Sequence, residues 1–428
     1  MTDLADHLQQ IRIMDTHEHM HKESEWVNAG PKDVLEDLFS NYIPADLAVA
    51  GASAEALKRL ADGSDPDVEG RWAGIEPAFQ AVRHTGYGEA VRLLAKSIYG
   101  MDEITPDALR AAAPTLAGLR RPGERRRLLG DVALLDHIQT DDFCIECLPD
   151  ASDPEFFLYD LGWAPFCGGR IDAGELHEKT GVTVTSLATL REAFEAAFHA
   201  HGRRAVAVKS QHAYARTLQW THRSDAEAEA VLARSLAGRE LEEDERLLLG
   251  DWCWEEGARL AGEYDLPFKI HTGYYAGSGY MDVDFIRPGH LCPLLVKHKN
   301  VRWVLMHIGY PYDHEMLAMA KHFPNVWVDL CWAWSINPHA SMAFVRSFLH
   351  AAPANKLFGF GGDTFWPTSA VAYGAQARHW LTRTLQAEVD AGDFTEREAI
   401  DTATRLLRTN QAACFDLQGT RDAIAAGV

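Results

Sequence analysis

The sequence predicts an α/β chain built as a (β/α)8, or TIM, barrel with a helical insertion after its first strand. Three observations carry that expectation. Four short apolar runs end in a side chain with chemistry to offer: residues 266–273 contain His271, 301–307 end on His307, 356–363 on Asp363 and 205–209 on Lys209. The runs alternate with helical patterns, which is the arrangement of βαβ units and a parallel sheet. Functional side chains at the C-terminal ends of several strands mark a barrel whose loops build a site at that face. At 428 residues the chain exceeds a usual barrel of about 250, so it holds one barrel plus sizeable insertions.

Along the chain, the apolar run 11–14 begins the first strand and leads into Asp15-Thr16-His17-Glu18-His19. Residues two apart on a strand face the same way, so His17 and His19 present two imidazoles to one point. Asp15 and Glu18 stand beside them as partners for the rings, although Glu18 points away on a regular strand. Residues 23–130 interrupt the barrel and read as helical; within them Thr105 caps a helix that has Pro106 at its first position. The insertion leaves the barrel directly after the histidine pair, so it is expected to act as a lid or specificity wall, with 83–88 as its most turn-rich part. The barrel is then 1–22 together with 131–428.

Residues 142–147 read as the next strand, in which Cys144 and Cys147 are small buried thiols rather than half a zinc site, since no second pair follows at zinc spacing. A further strand is expected at 157–163. An amphipathic helix at 190–201 leads into the lysine strand, a charged outer helix covers 224–264, and helices at 370–385 and 396–415 close the chain.

The ordered set His17-x-His19, Lys209, His271, His307 and Asp363 resembles the amidohydrolase superfamily of metal-dependent barrel enzymes. The text around His307 (MHIGYPYDHE), PNVWVDL and VKSQHAYAR resemble its amidohydrolase-2 branch, and the long insertion is similar to that of uronate isomerases. The likeness covers about 8–22 and 130–415. It implies a single metal held by His17, His19, His271 and Asp363, with His307 as acid, base or electrophile. If Lys209 is instead carboxylated, it bridges two ions, one with His17, His19 and Asp363 and the other with His271 and His307.

Neutral imidazoles and a carboxylate suit Zn²⁺, and also Mn²⁺, Fe²⁺ or Co²⁺. A bound divalent ion supplies hydroxide at neutral pH, with Asp363 as proton handler. Lys209, Tyr214 and Arg216 are candidate substrate-binding residues, the guanidinium being matched to a carboxylate. Tyr274, Tyr275, Tyr280, Trp332, Trp334 and Trp366 follow strand ends and suggest a pocket for a small organic ligand. The expected activity is hydrolysis of a C–N or related bond in a small polar, carboxylate-bearing substrate. The alternative is decarboxylation or uronate-type aldose-ketose isomerisation on the same scaffold.

A net charge of -21 argues against nucleic-acid or anionic-membrane binding. No apolar run reaches the roughly 20 residues of a membrane span, and the first ten residues lack a signal-peptide pattern. A cytoplasmic protein acting on a small molecule, and assembling as a homo-oligomer, is expected.

Overall fold

The computed structural model describes residues 2–277 and 279–427. Eight parallel strands run in chain order around one sheet: β1 (Ile13–Glu18), β2 (Leu135–Thr140), β3 (Phe157–Gly162), β4 (Ala205–Ser210), β5 (Phe268–Ile270), β6 (Trp303–Leu305), β7 (Val326–Asp329) and β8 (Leu357–Phe358). The seam between last and first strands is bridged by Thr16 N–H to the Phe360 carbonyl at 3.3 Å and Asp363 N–H to the His17 carbonyl at 2.9 Å. This is a TIM barrel, with its strands buried beneath an outer layer of helices. The larger core lies between strands and helices; a smaller cluster of Met14, Leu158, Val206, Val304 and Phe358 is closed by Phe415 and Leu417. Among the described residues no helix is long and apolar enough to cross a membrane.

One strand assignment is corrected, and one strand, β7, is added to those expected. Residues 142–147 form a loop, and β2 lies upstream at Leu135–Thr140. Its periodicity is masked because the fully buried positions include His137 and Gln139 as well as Leu135 and Ile138. The chain is turned out of the strand at Phe143, whose φ is +63°. β7 is only four residues long, too short to show a period. The helix expected over 224–264 is two, Asp225–Leu236 and Glu243–Glu263, separated around Gly238, which has a φ of +71°.

Between β1 and β2 the chain forms a run of helices from Glu23–Ala29 to Glu124–Arg127. Thr105 caps Pro106–Leu119 by accepting from Ala108 N–H. This insertion is fastened to the barrel by buried polar contacts. Gln376, on the Pro367–Ala391 helix, donates to Gly86 O at 2.9 Å and accepts from the Ser335 hydroxyl at 2.6 Å. Asp37 accepts from the hydroxyls of Tyr99 and Thr368. Gly86 is required at its position, because a Cβ there would lie 2.1 Å from Ser335 O.

Candidate metal centre and active site

At the C-terminal end of β1 the expected pair is formed. His17 Nε2 and His19 Nε2 are 3.3 Å apart, and each lies 3.4 Å from Asp363 Oδ1, which arrives from the loop after β8. Three buried donors thus converge on one point, as a divalent cation requires. Their electrostatics agree. Burial, then the charge of Lys209, holds the His17 imidazole well below its ordinary pKa. Burial works to raise Asp363, but the hydrogen bond from His17 and the charges of His17, His19 and His307 hold it well below the usual carboxylate range. A His17 ring that resists protonation beside an anionic Asp363 carboxylate is the state that metal binding demands of these two groups. The residues therefore fit a metal.

Around these donors lies a shell that aims them. His19 Nδ1 bonds the Asp141 carbonyl at 2.7 Å, leaving Nε2 for the centre. Behind His17, Asp160 Oδ2 lies 3.8 Å from Nδ1, and Asp160 is itself held by Lys269. Glu18 points away from the rings, as expected, and accepts from Thr364 N–H and Oγ1. Gly361 and Gly362 admit these approaches: a Cβ on Gly362 would lie 2.0 Å from Glu18 Oε1 and one on Gly361 2.7 Å from Thr16 Oγ1.

The fourth expected ligand, His271, stands outside the group of three donors that lie within 4.8 Å of one another. His307 Nδ1 faces the Cys331 carbonyl at 2.8 Å, so that nitrogen carries the proton. His307 Nε2 must then accept from His271 Nδ1 at 2.9 Å. The relay leaves His271 Nε2 as a lone pair, buried and without a partner. His307 thus orients His271, and His271 carries the open basic site. Burial lowers both rings, His307 to about 4.

Lys209 is fully buried with Nζ 3.1 Å from His17 Nε2 and 3.2 Å from Gln211 Oε1, so it does join the centre. Tyr214 packs its ring 4.9 Å from His271 and is 47% exposed, at the mouth. Arg216 is a correction. Its guanidinium is committed to Asp251 at 2.8 Å and to the carbonyls of Thr217, Cys167 and Gln219, so it braces the loop instead of presenting a free fork. Trp334 is likewise structural, its indole donating to Gly359 O.

Tyr42 and Phe143 carried no signal in the sequence as parts of the chamber, whereas Tyr87 lies in the turn-rich segment 83–88 already singled out. Tyr42, from the insertion, packs its ring 4.3 Å from Trp332, and Tyr87 lies 6.0 Å from the same indole. Burial, followed by the charge of Asp363, pushes the Tyr42 phenol well above its ordinary pKa. Phe143 stacks on His19 at 4.5 Å with an interplanar angle of 6°.

A family model described as amidohydrolase matches residues 171–409, more than half of the chain. This protein belongs to the amidohydrolase family. The amidohydrolase chain is 26% identical over 261 residues to a uronate isomerase of Nostoc punctiforme, covering 56% of this chain and 54% of that protein. It is 27% identical over 177 residues to Protein fluG of Emericella nidulans, covering 40% of this chain and 20% of fluG. It therefore spans about a fifth and about half of the length of these curated relatives. In fold the amidohydrolase resembles a uronate isomerase of Thermotoga maritima (TM-score 0.79, 15% identity, 96% of each chain). It also resembles a glucuronate isomerase of Caulobacter crescentus (TM-score 0.76, 18% identity, 97% of this chain and 93% of that one).

Proposed function

We propose that this amidohydrolase is a metal-dependent isomerase that interconverts aldose and ketose forms of a uronate-like sugar acid at a single divalent ion, zinc being favoured among Zn²⁺, Mn²⁺, Fe²⁺ and Co²⁺. The observation that carries the reading is likeness of fold to sugar-acid isomerases over 96% of the chain, joined to the sequence match with the Nostoc uronate isomerase. His17, His19 and Asp363 would hold the ion. When bound, it supplies Lewis-acid polarisation of a substrate oxygen.

The side chains account for the rest. Aldose-ketose exchange moves one proton between adjacent carbons and another between their oxygens, so it needs an acceptor and a donor on one chamber. His271 Nε2 is the open acceptor, with its tautomer fixed through His307 and the Cys331 carbonyl. Tyr42 is the donor held in its protonated form. Environments that drive two titratable groups apart in pKa suit such a division of roles. Lys209 Nζ offers hydrogen bonds to the substrate hydroxyl or carboxylate. Tyr42, Tyr87 and Trp332 roof the chamber and limit exchange of the mobile proton with water. In this reading the helical insertion is a specificity wall that supplies two of those three rings.

Hydrolysis is the second reading, favoured by the family to which the chain belongs. One experiment separates them. Metal-loaded enzyme is incubated with D-glucuronate or D-galacturonate in D2O and followed by NMR. Ketose formation, with deuterium entering C1 or C2 when the carried proton escapes to solvent, supports isomerisation. Unchanged uronates together with product release from a lactone and amide panel would favour hydrolysis. About one metal per chain, lost in His17→Ala, is expected in either case; two per chain would return Lys209 to a bridging role.

A further inference from the structure

The space that leads from the ligands continues outward. Phe143, stacked on His19, and Asp141, whose carbonyl fixes that ring, line a cavity of about 370 Å³ with Gln211 and Tyr214. A second cavity, of about 700 Å³, adjoins it and shares Phe143, Gly162, Pro165, Arg170 and Arg246. The two make one trench, with half-exposed Phe143 and Tyr214 at the inner end and arginines along the outer part.

Arg170, Arg239 and Arg246 are exposed in this trench. Among the described residues none of the three is within 4.0 Å of a carboxylate, and Arg246 makes one bond, to the Leu241 carbonyl. The acids alongside are partly spoken for. Asp172 caps the Ala173–Thr180 helix through Gly174 and Glu175 N–H, and the Glu175 side chain pairs with Lys179 at 2.7 Å. Asp172, Glu240 and Glu243 keep their charges along the lining, but none of them reaches the three guanidinium groups, which therefore stay free to take an anion. Three guanidinium groups without an ion-pair partner beside the mouth of a site, in a chain of net charge -21, offer planar donor forks to an anionic group of a ligand.

We propose that the trench binds the second, anionic residue of an elongated substrate, so that this enzyme takes a di-uronide or longer uronide by its reducing end in preference to a free monosaccharide acid. The inference rests on the isomerase reading for what happens at the metal. The reducing-end sugar lies in the enclosed chamber, and the chain passes between the faces of Phe143 and Tyr214, which suit the apolar face of a pyranose. The carboxylate of the next residue meets the planar forks of Arg170 and Arg246.

The test compares D-galacturonate with digalacturonate on the holoenzyme. Wild type is expected to show kcat/KM about tenfold higher for digalacturonate, the size of one charge-assisted contact, and Arg170→Ala/Arg246→Ala to bring that ratio towards one, through KM. Equal kcat/KM for both sugars in the wild type, or a preference that survives in the variant, overturns the proposal. If neither sugar is turned over, the isomerase reading fails, and calorimetric binding decides the trench separately. Digalacturonate affinity at least fivefold weaker in the variant upholds an anion-reading trench, and affinity unchanged in the variant, or no binding to wild type, rejects it.

Discussion

The ion pair beneath the metal centre is the sharpest place to test how the barrel holds its ligands. Lys269 and Asp160 are both fully buried, with Nζ 2.8 and 2.9 Å from the two carboxylate oxygens and 2.8 Å from Thr16 O, so all three ammonium donors are used. Burial pushes Asp160 up to about 6 against the opposing pull of Lys269. Removing one partner of such a pair strands a buried charge, at about 3–5 kcal/mol. Unfolding entropy of about 2.1 cal/mol/K per residue gives about 0.9 kcal/mol/K for this chain. Lys269→Met and Asp160→Asn should therefore each lower the melting midpoint by about 3–6 °C.

Because the two act as one unit, the double variant should lose clearly less than the sum of the singles, with a coupling of about 2 kcal/mol or more. Asp160 also stands behind His17, so Asp160→Asn should weaken zinc about tenfold or more in a chelator competition. Thermal denaturation of the metal-free proteins isolates the first effect from the second. Single variants that melt within 1 °C of wild type, or a double variant that is simply additive, would refute the coupled pair.

Three further outcomes follow from single contacts. Asp37 is buried and raised to about 6 by burial. Its stabilising share is therefore fully present below its ordinary pKa near 4 and lost as pH rises through about 6, about 3 kcal/mol in all. Asp37→Asn should flatten the melting midpoint between pH 4 and 6.5, and an unchanged pH profile would contradict the assignment. Gly86→Ala must push the insertion from Ser335, costing about 1–3 kcal/mol; because Tyr87 adjoins it, turnover should fall along with the melting midpoint, whereas wild-type kinetics would mean the insertion is not coupled to the chamber. Arg216→Ala should cost about 1–3 kcal/mol, since it opens three carbonyl contacts and one of the two ion pairs of buried Asp251 while Arg223 Nε still holds the other oxygen at 3.0 Å, and KM should hold in the enzyme that remains folded; a raised KM at normal stability would restore Arg216 to substrate binding.

How much was legible before the structure depended on where each residue's partners lie. His17, His19, Lys209 and Asp363 each end or follow an apolar run, and the same local pattern that makes a strand delivers its last side chain to the barrel mouth. β2 was missed for the opposite reason: polar residues fill buried positions and erase the alternation by which a strand is recognised. Arg216 misled because closeness to Lys209 in sequence says nothing about direction, and the turn after β4 sends its guanidinium to Asp251. Tyr42 was invisible because its relation to Trp332 and Asp363 is tertiary. The role of His271 likewise depended on a carbonyl, that of Cys331, which fixes one ring and through it the next.

The backbone suggests why these positions need such firm support. Phe143, His307, Ile308, Trp332 and Asp363 all have positive φ, between +50° and +63°, in a region that costs a non-glycine residue about 1–3 kcal/mol. Four of the five belong to or touch the histidine and carboxylate cluster, and each is tied down by bonds outside the metal donors. Trp332 N–H bonds Gly361 O, Asp363 N–H bonds His17 O, and His307 Nδ1 bonds Cys331 O. The barrel wall therefore holds the ligand geometry on its own account, spending part of its packing energy on conformations that regular strand ends would not adopt. A centre fixed in this way is preorganised by the barrel wall, and leaves the insertion and the outer loops free to vary around it.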